Sequence, residues 1–306
     1  MATALRYRAP APVLFVIGAV SMYVGAALAV GLFTVLAPAA VAVLRMLGAA
    51  AVLLAWRRPS AAAWRGARLL RAAAFGLATA GMNIAFYEAI ARLPLGTAVA
   101  VEFCGPVAVA AVASRRPRDI AAVVLAAVGV ALIADVRWSG SPSGVLWALA
   151  AAALWAAYIV LGKRVAGAGN GLDDMAVGFA VAAVVLSPLL LLPGGGTGLA
   201  ALVDPVVLLL AVGVGVLSSV VPYVLDQIVL RRVGQARFAV LLALLPATAT
   251  IVGVIVLAQL PSAGELVGVG LVVAGVALHR APSPEPEPEP ALKQHDPDRE
   301  TRVVGV

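Results

Sequence analysis

Apolar residues fill this chain in unbroken runs of about 18 to 22, separated by short polar stretches. The runs show neither the one-sided stripe of a soluble amphipathic helix nor the strict alternation of a half-buried strand. Roughly 20 apolar residues in a helix cross a hydrocarbon core of about 30 Å. Within lipid every backbone N–H and C=O must be satisfied inside its own segment or in a closed barrel, and barrel strands would alternate over about ten residues. The pattern therefore predicts transmembrane helices near 12–33, 36–56, 69–90, 96–114, 120–136, 144–162, 175–192, 205–230, 238–257 and 266–279. The expected fold is an all-α membrane protein of ten transmembrane helices. The intervening stretches are too short to hold an extramembrane domain between helices.

Composition agrees with lipid as the solvent. Of 306 residues, 63% are hydrophobic and 12% charged, with mean hydropathy +1.04, where soluble domains run near a quarter charged. A net charge of +7 raises the question of a nucleic-acid partner, but no soluble basic segment is long enough to hold one. Basic residues instead mark cytosolic loops. With the N-terminus inside, all of the 22 Lys and Arg fall in cytosolic segments except Arg92 and Arg137 outside and Arg45 within a helix. An odd number of spans would break this alternation, so both termini are expected in the cytosol and the protein in the cytoplasmic membrane. Arg6 and Arg8 ahead of the first apolar run resemble a signal peptide; the further spans that follow favour an uncleaved first helix.

Ten spans divide into two sets of five, and an odd-numbered repeat returns with inverted orientation. Arg92 and Pro106 stand in register with Arg232 and Pro246, though few identities accompany them. The expected organisation is a first repeat over 1–137, a second over 138–280, and a disordered cytosolic tail over 281–306, where Pro and Glu alternate from Pro284 to Pro290.

The run Gly81-Met82-Asn83-Ile84-Ala85-Phe86-Tyr87, then Leu93-Pro94-Leu95-Gly96 and Val101-Glu102-Phe103-Cys104-Gly105-Pro106, resembles the EamA-type branch of the drug/metabolite transporter superfamily. Val43-Leu44-Arg45, Ser114-Arg115-Arg116-Pro117, and Leu217-Ser218 leading to Pro222-Tyr223 and Asp226 fit the same pattern. The resemblance implies two inverted five-helix repeats around a central cavity, export of amino acids such as threonine or homoserine or of related metabolites, and no covalent cofactor. The chain departs from that pattern where similar proteins carry a Glu before the ninth-helix proline and a Gly-Glu pair at that helix's outer end. Here the residues are Leu245-Pro246 and Ala258-Gln259.

An ionisable side chain at membrane depth costs several kcal/mol and normally faces a cavity or a partner. Arg45 and Glu102 lie at compatible depths in the second and fourth helices. Two readings stand beside each other: an ion pair locking two helices, or a site for an amino acid's carboxylate and amine, with Glu102 able to exchange a proton as the cavity changes sides. Glu88 and Asp226, near Arg92 and Arg231, are expected as interfacial partners. Asn83, Tyr87, Trp155, Tyr158 and Tyr223 are polar or amphipathic at depth and need hydrogen-bond partners, as helix-to-helix contacts or as cavity walls. The candidate substrate-binding set is thus Arg45, Asn83, Tyr87, Glu102, Trp155, Tyr158 and Tyr223, with Glu102 the candidate for proton coupling. Trp56, Trp138 and Trp147 read as interfacial anchors. Pro106, Pro222 and Pro246 fall within spans and predict kinks or hinges.

Other functions find less support. Cys104 is the single cysteine, and His279 and His295 are the only histidines, so no metal site, disulfide framework or catalytic set appears. No phosphate-binding GxxxxGK[ST] loop is present for an ATP-driven pump. The expected partners are a small-molecule substrate and the lipid bilayer, not nucleic acid, with a homodimer left open. The leading reading is a secondary exporter, coupled to proton entry or running down the substrate's own gradient. Facilitated drug or metabolite efflux is its alternative, and a membrane-embedded enzyme a remote one.

Overall fold

The computed structural model describes residues 10–113, 117–138, 141–166, 171–191, 200, 203–222, 224–226, 228–229, 232, 241–242 and 244–278. Among these, all regular structure is helical. In chain order α1 is Ala11–Leu32, α2 Pro38–Arg57, α3 Gly66–Ile90, and α4 a bent helix of two segments, Leu95–Glu102 and Cys104–Ala113. Then come α5 Pro117–Trp138, α6 Pro142–Ala166 and α7 Gly171–Leu186, which tightens into a 3-10 turn over Ser187–Leu191. Next, α8 Pro205–Gly215 continues through a π-helical turn Val216–Val220, and α9 Leu244–Leu257 and α10 Ala263–Leu278 follow.

By length and composition, six described stretches are apolar enough to cross a membrane: Ala11–Leu32, Pro38–Arg57, Gly66–Ile90, Pro142–Leu161, Asp173–Leu191 and Pro205–Asp226. Leu95–Val109, Ile120–Ile133, Leu244–Leu257 and Ala263–Leu278 are apolar but shorter. Two helices start earlier than the apolar runs predict because proline supplies the first turn: Pro117 and Pro142 each open a helix, as Pro38 does two residues after its predicted start. A missing N–H costs nothing where that N–H would have no partner. At Pro205 the same device is joined by Asp204, whose carboxylate accepts from Val206 N at 2.7 Å.

The bundle exposes large apolar side chains and buries a small set of polar ones within an apolar core. Val13, Ile17, Leu70, Leu209, Ile255 and Leu260 are exposed, whereas Arg45, Thr79, Asn83, Thr97, Glu102, Ser218, Ser219 and Glu265 are buried. In water this would leave a large apolar surface uncovered; in lipid it is the stable arrangement. With little hydrophobic drive between helices in lipid, small residues set how closely they approach. Gly76 of α3 lies so near Gly178 of α7 that a Cβ there would overlap the Gly178 carbonyl.

Two ends of the bundle are pinned differently. At one end, Arg57 at the close of α2 pairs with Asp173 at 3.0 Å, and Arg68 early in α3 pairs with Asp174 at 2.6 Å. Both acids occupy the first turn of α7, where the helix dipole also favours them. At the other end α4 is held to α9 and α10. Gln259 accepts from Leu95 N at 2.8 Å, and fully buried Glu265 accepts from the Thr97 hydroxyl at 2.6 Å. The second oxygen of Glu265 accepts from Ser262 N at 2.9 Å, while the Ser262 hydroxyl accepts from Glu265 N at 3.3 Å. Ser262 and Glu265 thus form a capping box on α10. Gln259 acts here as an acceptor for a backbone N–H.

Candidate functional site

The site begins with two prolines. Pro106 has no N–H for the carbonyl four residues back, that of Glu102, and α4 breaks there: its two segments meet at Phe103. A single helix is expected over 96–114 from the apolar run; the structure bends it beside Glu102. In α8, Pro222 likewise leaves the Ser218 carbonyl without a helical donor, and the preceding turn widens so that Val221 N donates to Val216 O. That register frees the Leu217 carbonyl as well. Ser21 of α1 donates to it at 2.9 Å.

Arg45 takes the Ser218 carbonyl. Its Nη2 donates there at 3.0 Å and to Ser219 Oγ at 3.1 Å, its Nε to Ser219 Oγ at 3.3 Å, and its Nη1 to Asn83 Oδ1 at 2.8 Å and the Tyr87 hydroxyl at 3.5 Å. The guanidinium also lies 5.5 Å from the centre of the Tyr87 ring. Five donor contacts match the five N–H groups of the fork, so α2, α3 and α8 are joined through one side chain. Asn83 is fixed in turn by donating to Thr79 O at 2.8 Å. The partners of Arg45 are all neutral. Among the described residues the side-chain ion pairs are Arg57 with Asp173, Arg68 with Asp174 and Arg92 with Glu88, so Arg45 and Glu102 do not form the direct ion pair weighed above.

Arg45, Asn83, Glu102, Trp155 and Tyr158 all line one cavity of about 350 Å³. Its other walls come from α1 (Phe15 to Ala26), the bends at Pro106 and Pro222, and Leu242 and Leu245. Tyr87 is fully buried behind the wall as a support for Arg45, stacked edge-on against Phe33 at 5.7 Å. Trp155 packs edge-on against Phe103 at 4.7 Å, and Tyr158 lies tilted by 36° against Phe75 at 4.9 Å. Tyr223 lies outside the described residues. Glu102 is 8% exposed and accepts no hydrogen bond among the described residues. Leu245 is part of the apolar wall.

One of the two interfacial expectations needs correction. Glu88 does pair with Arg92, one turn apart at 2.5 Å; Asp226, expected as an interfacial partner in the same way, instead lines the cavity. A charge near a helix end reads as interfacial from sequence position alone, whereas here Asp226 shares the cavity wall with Pro222. Tyr23, Ser218 and Ser219 are wall or clasp residues absent from the sequence-based set. The spacing Ser218 to Pro222 was a usable signal, since a carbonyl orphaned by proline at membrane depth requires a donor.

An apolar exterior around a mostly apolar cavity that carries a few polar groups, Arg45, Asn83, Glu102 and Asp226, and is large enough for a small solute defines the class: a multi-pass membrane protein of the solute-transporter kind. Residues 142–280 match the EamA-like transporter family. Over 265 residues the chain is 35% identical to the threonine/homoserine exporter RhtA of Escherichia coli strain K12, covering 86% of this chain and 88% of that one. RhtA of Salmonella typhimurium strain LT2 is 35% identical over 242 residues, covering 78% and 80%. The chain belongs to the EamA-type transporter family. A crystal structure 21% identical in sequence superposes with a TM-score of 0.58 over 87% of this chain and 95% of that one, a likeness of fold.

Proposed function

We propose that this protein exports a small polar metabolite, an amino acid such as threonine or homoserine, across the cytoplasmic membrane. The observation that carries the reading is the cavity itself, which places an uncommitted carboxyl, Glu102, in one wall with the Arg45 cation in another. A zwitterion offers one group to each. Its ammonium meets Glu102, and its carboxylate takes over the contacts of Arg45 with Ser219, which at 3.1 and 3.3 Å are longer than the 2.8 Å bond to Asn83. Asn83, Trp155 and Tyr158 shape the space around it, Tyr87 steadies the guanidinium, and Tyr223, next in sequence to Pro222, is assigned to substrate binding in this reading. The substrate class follows that of the 35% identical relatives.

The architecture in this proposal is ten spans in two inverted five-helix repeats, residues 1–137 and 138–280. Helix pairing supports it. The closely packed pairs α2 with α7, α4 with α9 and α5 with α10 each map onto themselves when α1–α5 is exchanged with α6–α10, and α3 with α6 maps onto α8 with α1. Both termini are cytosolic, a reading supported by Arg57, Arg65, Arg68 and Arg71 clustering where α2 ends and α3 begins. Glu102 is the proton-coupling group. Uncoupled efflux is the second reading, favoured by the apolar Leu245 in the wall where similar proteins carry a carboxylate.

Proteoliposomes containing the full chain, loaded with a panel of labelled amino acids with and without a pH gradient, test this. Efflux of threonine or homoserine that grows with an opposing proton gradient is the expected result. Absence of amino-acid movement under either condition overturns the substrate class, and gradient-insensitive movement overturns the coupling.

A further inference from the structure

We infer that Asp226 of α8 is a second receptor for the substrate's ammonium, staggered along the cavity from Glu102 toward the end where α1 begins. The inference rests on the amino-acid reading above and adds a binding group to it.

Position comes from the packing of α1 against α8. These helices run antiparallel: Gly25 of α1 lies against Ser218, and Gly18 against Pro222 and Leu225. Asp226 is therefore level with the first half of α1, while Ser218, held by Arg45, is level with the second half. Eight residues separate them, about 12 Å along a helix axis. Tyr23 of α1 lines the same cavity as Glu102 and Asp226.

Commitment of the charges decides what these walls can recognise. The cationic group of the cavity, Arg45, already makes five donor contacts to Ser219, Asn83, Tyr87 and the Ser218 carbonyl. Neither Glu102 nor Asp226 accepts a hydrogen bond among the described residues, and Glu102 is more than nine-tenths buried while facing the cavity. Ser218 Oγ, 3% exposed in the same wall, also has no partner. A space with two unmet carboxyls and a fully engaged guanidinium is short of donors and of positive charge. An ammonium supplies three N–H donors and one charge, and the Trp155, Tyr23 and Phe86 rings suit a cation in a place of low dielectric. Asp226 meets the ammonium first, and Glu102 holds it once the carboxylate has reached Arg45.

Asp226→Asn keeps the shape and removes the charge, and Asp226→Glu keeps the charge. In counterflow of labelled threonine by the reconstituted full chain, D226N is expected to raise the half-saturating concentration about tenfold, as loss of one charge-assisted hydrogen bond does. Its maximal rate stays within about twofold of wild type, and D226E restores affinity to within about threefold. Two competitors separate recognition from structure. Inhibition by 1-amino-2-propanol, which has the amine without the carboxylate, weakens in D226N; inhibition by 2,3-dihydroxybutyrate, which has the carboxylate without the amine, does not. An unchanged half-saturating concentration, or equal loss for both competitors, overturns the inference. If wild type moves no threonine, the amino-acid reading falls, and the receptor is then decided by whether 1-amino-2-propanol quenches tryptophan fluorescence in wild type and not in D226N.

Discussion

Arg45 donates to the Ser218 carbonyl at 3.0 Å, and that carbonyl is free because Pro222, four residues on, has no N–H to give it. A proline in α8 and an arginine in α2 therefore form one device. The proline opens the helix and the arginine closes the gap across the bundle. Pro222→Ala returns an internal donor to Ser218 and sets it in competition with Arg45. We expect insertion and folding to persist while threonine counterflow falls roughly tenfold, since a hydrogen bond to a charged group contributes about 1.5–3 kcal/mol. Arg45→Lys should lose more, because an ammonium cannot span Asn83, Ser219 and the Ser218 carbonyl together. Wild-type rates in both variants would show that the clasp is incidental.

Glu102→Gln preserves volume and hydrogen-bonding shape but cannot change charge. The expected outcome is loss of proton-driven accumulation with exchange between the two sides still measurable. Full gradient-driven transport in this variant would make the carboxyl structural and leave facilitated export as the better reading.

Thr97→Val removes the hydroxyl that Glu265 accepts at 2.6 Å inside a site with no exposure. Losing a hydrogen bond to a buried carboxyl costs about 1–3 kcal/mol. Thermal unfolding in detergent should shift downward, and a cysteine placed at Thr250, which packs on Gly96 at the same end, should react faster with a membrane-impermeant maleimide. No change in either measurement would mean that this end is held by apolar packing alone.

The two ion pairs at the start of α7 should differ in worth. Arg68→Ala leaves Asp174, 3% exposed, without its cation and is expected to cost about 3 kcal/mol. Arg57→Ala breaks a pair whose arginine is 37% exposed and should cost under about 1 kcal/mol. Double-mutant cycles on detergent stability compare them directly, and equal coupling energies would contradict the assignment.

A reporter fused after residue 280 is expected to signal from the cytosol, and deletion of 281–306 to leave insertion and transport within about twofold, since a segment without apolar anchors adds little to a bundle. A periplasmic signal would remove the even number of spans on which the inverted repeat depends.

Helix positions were legible in the sequence because the requirement for about 20 apolar residues per span is local and acts on each segment separately. Arg45, Asn83 and Glu102 were legible as a cavity set for the same reason: an ionisable or amide group at membrane depth must face something other than lipid. The tertiary structure alone decided what each of them faces. Arg45 turned out to hold Asn83, Ser219 and an orphaned carbonyl rather than Glu102, and that choice depends on how α2, α3 and α8 converge. Asp226 lines the cavity together with Pro222 and Pro106, a placement that length and hydropathy along the chain do not reveal. Glu265 escaped notice since its partner Thr97 is 168 residues away, and only the packing of α4 on α10 brings them to 2.6 Å. Hydropathy along a chain records each residue's solvent; which buried polar group meets which is set by long-range packing, where small residues such as Gly76 and Gly178 determine how near two backbones come.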